Sequence, residues 1–317
     1  MSYNLNGDTM TKENLLTFLY PYLIINEIDP PNSKDDIQRI IDNKLEDIIK
    51  TYIRFLPQES IRSLREIIAE DYDDIIFEDS VNTYNILRKQ NIITTDYDEK
   101  NKLIRCKMKK EYKDIFCNHI NDHVLQKDNL LFHELINFIK LYLNAYGVID
   151  INTLNNFINK NLRYIGENDL YKYILIENLL TNSICIYENL VYSNRFTSTG
   201  ELLDFYNSQE GEYRIFTSKE LKSLLENTYI LDLDSYEKIK NYFDLRYYHI
   251  ENYVYKVNGV IKDYLDDRQI SKEKADNNLL DYINDYFDVD EDILNSLKEL
   301  LNNLYLEYPK WIKKGNI

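Results

Sequence analysis

Glycine and proline are nearly missing from this sequence, with seven and five among 317 residues. Turns that need them are few, so helix is the expected dominant element. Cysteine is as scarce. Three widely spaced thiols, an odd number, exclude a disulfide framework and fit a reduced cytoplasmic chain. Positive charge is in deficit. The 38 Lys and Arg against 54 Asp and Glu leave a net charge of −16. That argues against a general nucleic-acid coat, because phosphate binding needs a basic face. The longest uncharged run near the start, NLLTFLYPYLIIN at 14–26, falls short of the roughly 20 residues a membrane span requires, and Pro21 interrupts it. Asp8 and Glu13 precede it and no small-residue cleavage site follows, so neither a signal peptide nor a membrane association is expected. No glycine cluster offers a phosphate cradle or nucleotide fingerprint, and no Ser/His/Asp order occurs. The chain is expected to be neither an enzyme nor a cofactor carrier.

What is present is ample material for a core. The chain is 44% hydrophobic and 29% charged, which excludes a disordered protein. Asn, Ile, Lys and Tyr are abundant. Their A/T-rich codons point to an AT-rich bacterial, phage or plasmid genome, and 29 Tyr follow from that supply. Each buried Tyr must still find a partner for its hydroxyl.

The expected fold class is mainly α with small β-hairpins. An apolar helix at 13–28, bent at Pro21, ends before Pro30-Pro31. Ser33 with Asp35 and Asp36 marks a capped helix start, and Ile37, Ile41, Leu45, Ile48, Tyr52 and Phe55 follow on one face. Pro57 stops that helix. Helices at 58–70 and 77–90 follow, and then the period changes to two. Ile104, Cys106 and Met108 alternate with Arg105, Lys107 and Lys109, so a hairpin spans 92–108 with its bases exposed. Helix, helix, helix, hairpin is winged-helix order. A second such order begins with the helix 130–147, closed by Gly147. A short strand at Val148-Ile149 follows, then a helix capped by Asp150 or Asn152, a helix at 167–180, and a hairpin at 183–196 turning at Glu188-Asn189. The expected layout is an N-terminal helix (1–32), two winged-helix-like units (33–125 and 126–198) and an acidic helical domain (199–317). From about residue 200 onward, 24 acids face 15 bases. There Tyr236, Ile239, Phe243, Ile250, Val254, Val257, Ile261 and Leu265 trace one long stripe, bent near Gly259. A last helix carries Ile293, Leu297, Leu300 and Leu304.

At YGVIDINTLNNFINKN (146–161) and LNNLYLEYPKWIKKG (301–315) the chain resembles uncharacterised proteins of low-GC Gram-positive bacteria. Those have a winged-helix-like middle and a helical region ending in an Asn-Asn…Trp…Gly segment before a zinc-binding SEC-C tail. No paired cysteines follow Trp311 here, so a zinc role is not carried over. The resemblance implies no reaction.

The candidate surfaces are of two signs. Residues 81–113 hold nine bases and four acids. Arg88, Lys89, Arg105, Lys107, Lys109 and Lys110 are the candidates for nucleic-acid or partner binding, and Asn82, Asn85 and Gln90 are types that read bases. Opposing this, residues 70–79 carry six acids and no base, and Glu167 and Asp169 open the third helix of the second unit. The acidic interaction candidates are Asp71, Asp73, Asp74, Asp285, Asp288, Asp290 and Asp292. Cys117, His119, His123 and His133 cluster in sequence, with His119 and His123 on one face if that segment is helical. Asp288, Asp290, Asp292 and Glu299 imitate calcium-loop spacing, but Ile293 stands where the loop needs glycine. No metal is expected. A protein partner is expected through winged-helix modules and acidic helical surfaces, one version being a phage or mobile-element inhibitor of a host defence nuclease. The alternative is a DNA-binding regulator using residues 77–113.

Overall fold

The computed structural model describes residues 11–69, 75–77, 81–98, 103–162, 164–225, 229–247, 249–287 and 291–317. The fold is mainly α with small antiparallel sheets. In chain order the elements are α1 (Lys12–Asn26), α2 (Lys34–Phe55), α3 (Gln58–Ala69), β1 (Ile75–Phe77), α4 (Val81–Lys89), β2 (Ile93–Asp98), β3 (Leu103–Met108), α5 (Lys110–His119) and α6 (His123–Tyr146). Then come β4 (Val148–Asp150), α7 (Ile151–Asn161), α8 (Glu167–Thr181), β5 (Ile184–Tyr187), β6 (Leu190–Ser193), α9 (Thr199–Ser208), α10 (Ser218–Leu225), α11 (Tyr236–Tyr247), α12 (Tyr253–Ile270), α13 (Lys272–Asn284) and α14 (Glu291–Glu307). Among the described residues no helix is long and apolar enough to cross a membrane. By spatial proximity the chain divides into two units, Met1–Ile136 with Ile165–Ser183, and Asn137–Tyr164 with Ile184–Ile317.

In the first unit α2 is the spine. Ser33 Oγ accepts the Asp36 N–H at 3.0 Å, satisfying one of the free donors at its start. Its apolar stripe then buries Ile37, Ile41, Ile48 and Tyr52. α1 packs on this stripe. Phe18 stacks on Tyr52 at 5.5 Å and on Tyr112 of α5 at 5.0 Å, and Tyr52 Oη donates to the Phe18 carbonyl at 3.0 Å. Pro21 is accommodated within α1 and does not divide it. At the other end of α2 the last carbonyls lack helical partners. Asn129 supplies them, with Nδ2 within 2.9–3.1 Å of the Ile53, Arg54 and Leu56 carbonyls.

The first sheet holds the expected hairpin, β2 antiparallel to β3 with Ile93 opposite Met108, and adds to it. A third strand, β1, lies within the acidic run, and α4 begins only at Val81. Sheet order is β1-β3-β2, so β3 is central, with Ile75 opposite Cys106 on one side and Thr95 opposite Cys106 on the other.

In the second unit the sheet has the same order, first strand, third strand, second strand: β4-β6-β5. Asp150 caps α7 by accepting the Thr153 N–H at 2.9 Å, and the β5–β6 turn places Glu188 at φ 52°. Val148, Leu190, Phe196, Leu202, Phe205 and Trp311 form one buried cluster against this sheet. The long stripe expected over 236–265 is instead two helices. α11 ends at Tyr247, Asn252 adopts φ 56°, and α12 then runs unbroken through Gly259. Val254, expected inward, is exposed because it lies in the first turn of the new helix.

Candidate functional site

The basic strip of the first unit is less available than its alternation implies. Arg88 and Lys89 end α4 exposed, as does Lys110 at the start of α5. Cys106 is buried, but Lys107, Met108 and Lys109 are all half-buried. The two-sided alternation is therefore corrected for two physical reasons. β3 is a central strand, and it stops at Met108, so Lys109 is already the cap of α5. There its ammonium lies 5.1 Å from the centre of the Tyr112 ring. Burial lowers the pKa of Lys109, against the pull of Glu111 and Asp42. Gln90 is no base reader. It is buried, with Oε1 3.2 Å from Tyr52 Oη and Nε2 donating to the Leu179 carbonyl at 3.2 Å. The side chains of Asn82 and Arg105 lie outside the described residues.

This placement predicts unequal costs of charge reversal. Lys107→Glu with Lys109→Glu should cost about 1–2 kcal/mol, from the lost ammonium–ring contact and new repulsion by Asp42 and Glu111. Arg88→Glu with Lys89→Glu should stay within about 0.5 kcal/mol. Urea unfolding of both variants checks this, and equal costs would mean that Lys109 is an ordinary solvated lysine.

A groove of about 390 Å³ opens between α1 and α2, lined by Tyr22, Ile25, Asn26, Lys44, Asp47, Lys50, Thr51 and Arg54. Lys44, Asp47, Thr51 and Arg54 recur at spacings of three and four, so this face was legible in the sequence though not singled out. Its charges are largely balanced. Lys44 lies 3.4 Å from Asp47, Lys50 2.6 Å from Glu46, and Arg54 3.4 Å from Asp128.

The sequence cluster of thiol and imidazoles does not assemble. α5 ends at His119 and α6 begins at His123, so the two histidines share no helix face. His119 Nε2 instead meets Glu46 at 2.9 Å, His133 Nε2 meets the Leu56 carbonyl at 2.8 Å, and Cys117 is exposed. Among the described residues no group of three His, Cys, Asp or Glu is placed to hold a metal ion. Of the acidic candidates, Asp285 is exposed at the end of α13. Asp71, Asp73, Asp74, Asp288 and Asp290 lie outside the described residues, as does the side chain of Asp292.

The second unit holds a charged network that sequence reasoning missed. Arg195, just after β6, pairs with Asp263 and lies 3.4 Å from Asp266 on α12. Lys262 reaches Asp266 at 3.2 Å. Asp267, only 2% exposed, accepts from Asn278 at 2.8 Å and from Tyr282, with Lys274 at 3.8 Å. Burial, and donation to Asp267, push the Tyr282 hydroxyl up to about 12. Buried carboxylates demand such partners, and here all the contacts but Lys262–Asp266, which lies within α12, tie α12 to α13 or to the end of β6. The only sequence signal was a pair of adjacent acids within an apolar stripe.

The two segments that carried the sequence resemblance meet in space. Trp311 is buried, and its ring lies where a side chain on Gly147 would stand. A Cβ there would be 2.3 Å from the nearest ring atom. Trp311 Nε1 donates to the Asn144 carbonyl at 3.0 Å, and Gln209 Nε2 bridges the Tyr146 and Trp311 carbonyls at 3.1 and 2.9 Å. The motif residues thus close the end of α6 and build core. Comparison with family models, with curated proteins and with solved structures finds no match.

Proposed function

We propose that this chain is a non-catalytic binding protein whose partner is another protein, met through its acidic helical surfaces. In this reading residues 33–125 and 126–198 are winged-helix-like modules, which the repeated sheet order, first strand beside third beside second, supports. The observation that carries the choice of partner is the state of the basic strip. Lys107 and Lys109 are half-buried and Gln90 is enclosed, while Asp281 on α13 and Asp285 just after it stand exposed. A surface of net charge −16 attracts a basic face and repels a phosphate backbone. The narrower form of the proposal is an inhibitor, carried by a phage or mobile element, that occupies the phosphate groove of a host defence nuclease.

The DNA-binding regulator is the second reading, favoured by the exposure of Arg88, Lys89 and Lys110 together. Titrating labelled duplex DNA at about 50 and about 200 mM salt separates the two. A DNA reader loses affinity steeply across that range, whereas the protein-binding reading expects no saturable binding at either. Partner capture should survive Arg88→Glu with Lys89→Glu and fail after Asp281→Lys with Asp285→Lys. Submicromolar, salt-steep DNA affinity abolished by the Arg88/Lys89 pair would establish the regulator instead.

A further inference from the structure

The groove between α1 and α2 is a built cavity of one charge sign. Its volume of about 390 Å³ falls within the roughly 300–1,000 Å³ of small-molecule sites. Three cations, Lys44, Lys50 and Arg54, line it against the single carboxylate of Asp47, in a chain of net charge −16. Glu46 and Asp128, which balance Lys50 and Arg54, stand outside the lining. Spacings of three, three and four along α2 put the four charged side chains on one helical face. Tyr22 and Ile25, three apart on α1, bring apolar surface to the other wall. That wall is fixed, since the Phe18 ring of α1 stacks on Tyr52 of α2 and the Phe18 carbonyl accepts from the Tyr52 hydroxyl.

We infer that this groove binds a small organic anion, a compact molecule carrying a carboxylate or phosphate group. The state of Arg54 points to it. Arg54 Nε is closed off from solvent and finds no hydrogen-bond acceptor, for Asp128 Oδ2 lies 3.4 Å away and out of line. A donor enclosed without an acceptor is costly and calls for a cause. The Arg54 side chain is otherwise partly exposed, so its guanidinium can turn to an oxyanion in the groove, and the fork then takes two oxygens at once. Lys44 and Lys50 add charge without fixing direction. Neither is tightly held. Lys44 and Asp47 are both half-exposed and 3.4 Å apart, a pair that solvent screens. Glu46 also meets His119 at 2.9 Å, so it keeps a partner when Lys50 turns to the ligand. The body of the ligand lies against Tyr22 and Ile25. The site is independent of the protein-partner reading above, since it uses none of the same residues.

Calorimetric titration of the full chain in about 50 mM salt tests it, with citrate in one arm and ribose 5-phosphate in the other. One-site binding at about 1 mM or tighter is expected in at least one arm. Tighter binding of citrate marks carboxylate as the preferred group, and tighter binding of ribose 5-phosphate marks phosphate. Arg54→Gln, and separately Lys44→Gln with Lys50→Gln, should each weaken binding at least about tenfold, as loss of a charged partner does. Ile25→Trp keeps every charge but fills the groove, and it should weaken binding as much. Lys34→Gln with Arg39→Gln, earlier on α2 and outside the lining, should not. No saturable heat in either arm overturns the proposal. So does an unchanged affinity in the folded Arg54 variant or in the folded Lys44/Lys50 variant.

Discussion

Gly147→Ala is expected to destabilise the second unit by about 4 kcal/mol. Two costs combine. Gly147 sits at φ 72°, the left-handed region that closes α6, where a Cβ costs about 1–2 kcal/mol. That Cβ would also fall 2.3 and 2.4 Å from two atoms of the Trp311 ring. The ring has little room to yield, because it is buried among Val148, Phe196 and Phe205 and its N–H is bonded to Asn144. Overpacking of this kind costs about 1–3 kcal/mol more. Trp311→Ala alone should cost about 3–5 kcal/mol, by emptying the same volume. The two changes share one contact, so they should not add. In the double variant the steric cost of the added methyl group vanishes and only its backbone cost remains, leaving the total about 2 kcal/mol short of the sum. Urea unfolding followed by far-ultraviolet circular dichroism measures all three variants. Strict additivity would show that the ring moves aside in Gly147→Ala.

That contact also marks where sequence reading succeeded and where it stopped. Gly147 was legible as a helix end, and Trp311 as part of a distinctive segment. Nothing in either told that one rests on the other, since the two are joined only through packing. Local signals behaved similarly elsewhere. Ser33 and Asp150 were visible as caps because capping is a matter of three residues. The stripe of α2 was visible because its apolar spacing is long and regular. β1 was hidden, being three residues between acids, and only its pairing with β3 makes it a strand. The break between α11 and α12 was hidden too, because the apolar spacing continues across it while the backbone turns at Asn252. The candidate surfaces were read less well than the fold. Exposure of Lys107 and Lys109 was inferred from alternation, and alternation says nothing about which strand is central or where the next helix begins. The grouping of Arg268 and Lys310 over the Tyr305 ring joins α12 to the stretch around the end of α14, which no single stretch of sequence reports.

The largest pH effect should come on the alkaline side, from the tyrosines. Tyr52 and Tyr112 in the first unit, and Tyr146, Tyr264 and Tyr308 in the second, are all buried, and burial raises the pKa of each. Three of them use their protons. Tyr52 donates to the Phe18 carbonyl at 3.0 Å, Tyr146 to the Arg214 carbonyl at 2.7 Å and Tyr264 to Asp276 at 3.1 Å. A phenolate cannot donate, so ionisation would break these bonds as well as bury a charge. The sign follows from proton counting. Above pH of about 10 the unfolded chain has released these protons and the folded chain still holds them, so stability falls as pH rises, by about 1.4 kcal/mol per unit for each such group. Cys106, pushed from 9.0 to about 11 by burial, starts the decline earlier in the first unit and contributes about 2 kcal/mol of it by pH 11. Five phenols and this thiol together lower stability at pH 11 by roughly 10 kcal/mol across the two units, comparable with the whole stability of an ordinary domain. Phenolate absorbance and far-ultraviolet circular dichroism should therefore be followed together against pH, in buffer and in urea. In urea the tyrosines should ionise in one step. In buffer a second step should emerge above it and coincide with the loss of helix signal. A single step in buffer with the helix signal intact would mean that these hydroxyls are not held as their burial requires.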